Sequence, residues 1–402
     1  MKNTFTSPSE AIRELTHHLQ TLNDSESQIV SRELYGRVLS EPIIADRDSP
    51  AANVSAMDGF ALNLRDLKPQ QPITIVGECK AGSPPPRLLS GAAVRIFTGA
   101  MIPDNANAVI KREDVIEVND TISIQHAADH FFEGINIRRA GENATAGSEI
   151  IEKGTILNAA HAAAITNFGH TSIAVKRTLR ISIITTGDEV GDFQDSTPQL
   201  WQIRNSNRRS LCVLLDAFPW IEISSEQHCV DSKQAIQSMI TQSLDTADVV
   251  LLTGGVSVGD HDHVPEVVET LGANLIFHGL PIRPGKPILG AATNTGKLIL
   301  GLPGNPVSAM IGCFRIGIPL MKYMAGAKHW NQTPPSVRVE NSDEKTIPLH
   351  WFRLVRQSSD GNISLCDNKG SGDLVALGQS SGFVELLPNQ VSDEALPYYS
   401  WN

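Results

Sequence analysis

Three short apolar runs in this 402-residue chain each end in a segment crowded with glycine and polar residues. Ile183-Ile184 leads into Thr185-Thr186-Gly187-Asp188-Glu189. Val250-Leu251-Leu252 leads into Thr253-Gly254-Gly255-Val256-Ser257-Val258-Gly259-Asp260-His261-Asp262. Leu298-Ile299-Leu300 leads into Gly301-Leu302-Pro303-Gly304-Asn305-Pro306-Val307-Ser308. Gly254 and Gly255 let backbone N–H groups approach a ligand closely, and Ser257 adds a hydroxyl, which suits a phosphate. In the third segment Asn305 fits a helix N-cap and Pro306 the first helical position. The positive end of such a helix, beside Gly304, favours an oxyanion. Neither glycine loop matches the dinucleotide fingerprint or the P-loop pattern.

Carboxylates collect in the same segments: Asp188, Glu189, Asp260 and Asp262, with Asp231 after a further strand-like run. Bare carboxylates would repel a phosphate. Mg²⁺ removes the conflict by bridging carboxylate and phosphate oxygens, so Asp188, Glu189, Asp260 and Asp262 are the metal candidates. Asp231 and Asp262 also stand just before helical stretches, where an acid serves as an N-terminal helix charge; both roles stay open. His261 and His263 flank Asp262 as ligands or as solvated loop histidines. Pro281-Ile282-Arg283-Pro284-Gly285-Lys286-Pro287 is a stiff loop whose Arg283 and Lys286, three apart, can address one anion.

The elements that must position these groups can be read from periodicity. From about 176 to 327, apolar runs of strand length alternate with helical stretches over 210–218, 232–244, 264–271 and 307–324. That alternation predicts a mostly parallel sheet covered on both faces, whose ligands bind beyond the carboxyl ends of the strands. Ser7-Pro8-Ser9-Glu10 is a capping box opening a helix that carries Ala11, Leu15 and Leu19 on one face, and a second helix is expected over 26–39. Residues 46–142 hold short β-type runs (73–76, 93–97, 108–110, 121–124) separated by turn clusters such as Gly82-Ser83-Pro84-Pro85-Pro86, and an Ala-rich helix is expected around 159–168. From about 328 the texture returns to β, at 336–339, 363–365 and 383–387. The fold class is multidomain α/β plus β. A split N-terminal domain (1–45 and 143–175) carries an inserted β domain (46–142). A central α/β domain (176–327) and a small C-terminal β barrel (328–402) follow.

Composition narrows the function classes. Lys+Arg number 33 and Asp+Glu 44, a net charge of −11, which argues against a chain built to coat nucleic acid. No apolar run approaches the ~20 residues needed to span a bilayer, and the first residues have no apolar signal core, so a cytoplasmic protein without export is expected. Cys79, Cys212, Cys229, Cys313 and Cys366 are too scattered for a zinc knuckle or a disulfide framework.

Read together, Ser55-Ala56-Met57-Asp58-Gly59, Thr98-Gly99-Ala100, Ile137-Arg138-Arg139-Ala140-Gly141-Glu142, Thr186-Gly187-Asp188-Glu189, the Gly254–Asp260 loop, Pro284-Gly285-Lys286-Pro287 and the Gly301–Ser308 segment occur in that order. Over about residues 9–390 the chain resembles the molybdopterin molybdenumtransferase family, which includes the C-terminal domain of gephyrin. The resemblance implies an elongated homodimer of four-domain subunits. It also implies a reaction in which molybdate is inserted into adenylylated molybdopterin, with Mg²⁺ assisting, and AMP and molybdenum cofactor leave. A molybdopterin adenylyltransferase and downstream cofactor-processing proteins are the implied partners; nucleic acid and membranes are not.

By that resemblance the catalytic candidates are Asp58, Thr98, Glu189, Asp231, Asp262 and Lys286. Asp58 and Thr98 would complete the site across the dimer. Gly254, Gly255 and Ser257 would cradle phosphate, and Lys286 would serve the molybdate pocket. Arg283 stands where many members have lysine, so a fork replaces a point charge. Arg353 and Ser371 would help hold the oxyanion. Asn205, Asn207, Gly304, Asn305 and Ser308 complete the substrate-binding candidates. No cysteine is needed as nucleophile, because the reacting thiols belong to the substrate. A scaffold protein with reduced catalysis, and a tungstate-inserting paralogue, are the alternatives.

Overall fold

A computed structural model describes residues 5–68, 71–126, 130–193, 196–257, 259 and 262–401. The chain forms two compact units. One comprises Met1–Glu41, Lys153–Ala162 and Ser172–Asn402, and the other Pro42–Glu152 and Ala163–Thr171.

The first unit is organised by a six-stranded sheet in the order Ile221–Cys229, Leu179–Thr186, Val249–Thr253, Leu298–Leu302, Leu289–Ala292, Asn274–His278. Its first four strands are parallel. The last two form an antiparallel edge absent from the periodicity reading. Every residue of Val249–Thr253 and Leu298–Leu302 is buried, as a strand covered on both faces requires. Alternate side chains feed opposite cores. Val249 and Leu251 pack with Leu211 and Leu215 of the Ser206–Asp216 helix and with Ala11, Ile12 and Leu15 of the Pro8–Thr16 helix. Val250 and Leu252 pack with Ile236, Ile240, Val264 and Val267 from helices Lys233–Thr246 and Val264–Thr270. The Pro8–Thr16 helix begins at the expected Ser7 cap, whose hydroxyl accepts the Glu10 N–H, but the Glu10 carboxylate accepts from the Thr6 N–H and hydroxyl instead of completing the capping box on Ser7.

The helix expected over 26–39 does not form. Ser25–Ile29 is a strand paired antiparallel with Ser172–Lys176, and only a short 3-10 turn at Arg32–Leu34 is helical. Gly36 explains part of this. It adopts a left-handed φ of +76°, and a Cβ there would meet the Pro219 ring at 2.6 Å, so no helix passes through it.

The helix expected over 307–324 starts at Pro306 and widens into a π-helical stretch at Cys313–Gly317 before resuming at Ile318–Met324. Arg315, inside that stretch, reaches the C-terminal sheet. This sheet runs Ile282–Arg283, His350–Gln357, Gly382–Leu386, Leu396–Ser400, Ser336–Val337, with Ile363–Leu365 on the far side of His350–Gln357. A bridge from Val339 to Ile363 brings the end of this path back to the Ile363–Leu365 strand. Strands His350–Gln357 and Leu396–Ser400 and the Leu374–Gln379 helix were not read from sequence.

The second unit holds a six-stranded mixed sheet in the order Ala108–Lys111, Gly59–Leu62, Ala92–Ile96, Ile73–Cys79, Thr121–Ile124, Val115–Val118. The four β runs read in this region are all present. Among the described residues no helix is long and apolar enough to cross a membrane. Four of the five thiols are buried, and burial pushes Cys212 and Cys313 up to about 12, which leaves them poor nucleophiles.

A buried ionic cluster fastens the long helix to the C-terminal sheet. Arg315 Nε donates to Glu385 Oε2 (2.7 Å), Tyr399 Oη donates to the same oxygen (2.8 Å), and His350 Nδ1 lies 3.0 Å from Oε1. Burial alone would raise the Glu385 carboxyl, but the His350 hydrogen bond and the Arg315 charge outweigh it and hold it at about 2. A carboxylate lowered in this way stabilises the fold above its unfolded value and loses that contribution as pH falls through the folded one. Melting temperature should therefore fall between about pH 4.5 and about pH 2, and more steeply in the wild type than in a Glu385→Gln variant. At pH 7 that variant should lose about 3 kcal/mol in denaturant unfolding, because Arg315 is left buried without its counter-charge.

Candidate functional site

A cleft of about 930 Å³ in the first unit lies at the carboxyl ends of the parallel strands. From Leu179–Thr186 the chain crosses to one side of the sheet and from Val249–Thr253 to the other, so the crevice sits where the strand order reverses. Thr186, Glu189, Asp231, Gly254, Gly255, Asp262, Gly304 and Asn305 all line it. Loops separated by more than a hundred residues thus share one wall.

The contact between two adjacent strand ends is tight. Gly254 has a φ of +93°, and a Cβ there would stand 2.7 Å from Thr186 Oγ1. Gly255 is also left-handed at +63°. Both glycines are required by conformation and by the close approach. Asn207 ties the neighbouring loops together. Its Nδ2 donates to the Gly304 carbonyl (2.7 Å) and to Thr253 Oγ1 (3.3 Å). Asn205 caps the Ser206–Asp216 helix through Oδ1 and donates from Nδ2 to Thr185 Oγ1 (2.8 Å). The cleft walls are therefore fixed by amide side chains that also face the ligand space.

Asn207 Oδ1 is a buried polar atom of the lining with no hydrogen-bond partner among the described residues, and the Thr186 hydroxyl turns to the Asp231 carboxyl without satisfying its buried Oδ1. Buried polar groups are normally satisfied, so these are the natural contact points for a polar ligand. Burial raises the Asp231 carboxyl, the Thr186 hydroxyl turned to it pulls the other way, and the charges of Asp188 and Glu189 leave it raised. Asp188 is exposed and outside the lining; its Oδ1 accepts the Asp231 N–H (3.2 Å) and positions that residue. Asp262 Oδ2 accepts the Gly259 N–H (2.9 Å), closing the loop before the Val264–Thr270 helix. Asp260 and His261 lie outside the described residues. No group of three or more acids, histidines or cysteines spaced to hold a metal occurs among the described residues.

At the start of the Pro306 helix the Val307 N–H donates to the Ser371 carbonyl (3.1 Å), and proline has no N–H to give. Fewer backbone donors than expected are therefore offered to an anion there. The same contact brings in the Gly370–Leu374 segment. Gly372 and Leu374 line the main cleft, while Gly370 and Ser371 line a second cavity of about 210 Å³ that also receives Arg283, Lys345, Trp351 and Arg353. Arg353 donates both Nη atoms to Asp343 (2.7 and 2.9 Å) and lies over the Trp351 ring, 4.5 Å from its centroid. Its charge is thus largely answered within the protein, while Arg283 is exposed.

Lys286 is exposed and does not line either cavity. Its neighbour Gly285 packs against Ser308, which is buried in the first turn of the Pro306 helix. Ser257 is half-buried and outside both linings.

Asp58 and Thr98 belong to the second unit. Asp58 Oδ1 accepts both the N–H (2.8 Å) and the hydroxyl (2.7 Å) of Thr98, and these bonds hold its carboxyl below the usual range. Sequence reasoning missed Arg204, the sole lysine or arginine among the described lining residues of the main cleft. Its position directly before the Asn205 cap was the available signal.

Two outcomes follow. Asp231→Asn should raise the melting temperature of the ligand-free protein at pH 7, since a raised folded pKa means that ionised Asp231 opposes folding. The two proteins should converge below about pH 4, where the carboxyl is protonated even when unfolded. Gly254→Ala should cost about 2 kcal/mol in denaturant unfolding, from left-handed strain and the Thr186 contact.

Known proteins match this chain over most of its length. Residues 6–169 match the family model described as MoeA N-terminal region (domain I and II), and residues 182–323 match the probable molybdopterin binding domain. A molybdopterin molybdenumtransferase of Synechocystis sp. is 30% identical over 376 residues, covering 91% of this chain and 93% of that protein. One from Nostoc sp. is 33% identical, covering 87% and 82%. A crystal structure of the molybdopterin biosynthesis moeA protein of Pyrococcus horikoshii matches with a TM-score of 0.75 at 26% identity over the whole of both chains. The chain belongs to the molybdopterin molybdenumtransferase family.

Proposed function

We propose that this chain inserts molybdate into adenylylated molybdopterin, cleaves the pyrophosphate link and releases AMP and molybdenum cofactor. One observation carries the reading. Glu189, Asp231, Asp262, Gly254 and Gly255 share a cleft whose Gly370–Leu374 wall also bounds a cavity holding Arg283 and Ser371. A long anionic substrate and a small tetrahedral dianion need two such adjoining spaces of unlike chemistry.

In the larger space, left-handed Gly254 and Gly255 let phosphate oxygens approach the backbone, and Asn207 Oδ1 accepts a substrate N–H or O–H. In the smaller one Arg283 and Ser371 donate to molybdate, with Lys286 at the loop beside them. Arg353, forked onto Asp343, shapes the wall and holds Trp351. Mg²⁺ fits the donor set in one manner. Mg²⁺ takes one or two carboxylates and completes its shell with water and substrate phosphates, so a protein cage is not required. Asp231, with its unpartnered buried Oδ1, together with Glu189 or Asp262 would hold the ion, which would neutralise charge at the pyrophosphate. Homodimer formation is part of the proposal and is checked by the mass in solution.

The test is direct. Purified protein given adenylylated molybdopterin, Mg²⁺ and molybdate should release AMP, seen by chromatography, and the product should activate a molybdenum-free molybdoenzyme. No AMP and no activation would refute the reading. Arg283→Ala should raise the molybdate concentration for half-maximal product formation by about tenfold, the loss of one charge-assisted hydrogen bond.

A further inference from the structure

The rim of the main cleft carries an apolar group that the fold leaves uncovered. Pro198, Gln202, Ile203 and Arg204 line the cleft, and between them Leu200 is fully exposed and Trp201 is 72% exposed. A tryptophan left in water forgoes a large burial, and it is a ready stacking partner for a flat ring. The rim is not a loose tail. Ile203–Arg204 pairs with Val190–Gly191, the Ile203 N–H donates to the Glu189 carbonyl (2.8 Å), and Asn205 caps the next helix.

Arg204 is equally prepared. Its Nε donates to the Phe193 carbonyl (3.1 Å) and Nη2 to the Ser196 carbonyl (2.9 Å), which orients the guanidinium. Nη1 has no hydrogen-bond partner among the described residues. The lining otherwise offers an anion the carboxylates Glu189, Asp231 and Asp262 and no other lysine or arginine among the described residues. Arg204 is three residues along the chain from Trp201, a backbone span of at most about 10 Å. A phosphate joined to a heteroaromatic ring through a sugar matches that spacing.

We propose that Trp201 and Arg204 form the subsite for the adenylate half of the substrate, Trp201 stacking on the base and Arg204 donating to the phosphate. This rests on the function proposed above and names the residues that read one end of its substrate.

Calorimetric titration of the full chain with AMP and with ribose 5-phosphate separates the two contacts. Trp201→Ala should weaken AMP about tenfold and leave ribose 5-phosphate unchanged, since only AMP has a ring to stack. Trp201→Phe should restore most of the AMP affinity. Arg204→Ala should weaken both probes about tenfold, and Arg204→Lys should recover part of the loss. AMP binding that ignores Trp201→Ala, or a loss equal for both probes, overturns the stacking contact. Binding that ignores Arg204→Ala overturns the phosphate contact. If the wild type releases AMP from adenylylated molybdopterin while these variants bind normally, only this inference fails. A wild type that neither binds AMP nor releases it refutes the function as well.

Discussion

The parallel register between Leu179–Thr186 and Val249–Thr253 is the constraint on which the site depends. It pairs Thr185 with Thr253 and so delivers Thr186 and Gly254 side by side at the strand ends. At that distance a β-carbon on residue 254 would collide with the Thr186 hydroxyl, so glycine is imposed by packing before any ligand is considered. The strand order sends the two following connections to opposite sides of the sheet. The space between them is the cleft.

Polar side chains then hold the cleft open at a defined width. Asn205 and Asn207, two residues apart at the head of one helix, reach Thr185, Thr253 and Gly304 on three different strand ends. Each spends some of its hydrogen-bonding capacity on the fold, and Asn207 keeps an unpartnered carbonyl. Farther back, the Arg315–Glu385–His350–Tyr399 cluster joins the long helix to the strand that pairs with Ile282–Arg283. That chain of contacts connects the Gly304 end of the main cleft with the loop carrying Arg283 and Lys286. Removing one partner of such a buried cluster leaves an uncompensated charge, so the helix and the C-terminal sheet are held as one piece.

Much of this was legible before any coordinates. The four parallel strands have short apolar cores that run into segments rich in glycine or acid, so those four and their parallel pairing could be read from pattern. The Ser7 cap was legible because capping is local. The strand at Ser25–Ile29 was not, because its stability comes from pairing with Ser172–Lys176, far away in sequence. The antiparallel edge was missed for a similar reason. Leu289–Ala292 is buried by neighbours rather than marked by β-branched residues.

At the site, the acids and glycines announced themselves by type, but their division of labour did not. Asp188 turns to a backbone N–H, Arg353 is claimed by Asp343, and Arg204 faces the main cleft. Sequence by itself determined which residue types stand at which strand ends, because that follows from hydrophobic period and local turn chemistry. Only the tertiary structure decided which of those charges are answered within the protein and which are left for a ligand. Hydrogen-bond partners are chosen across folded space, between residues that share no sequence neighbourhood.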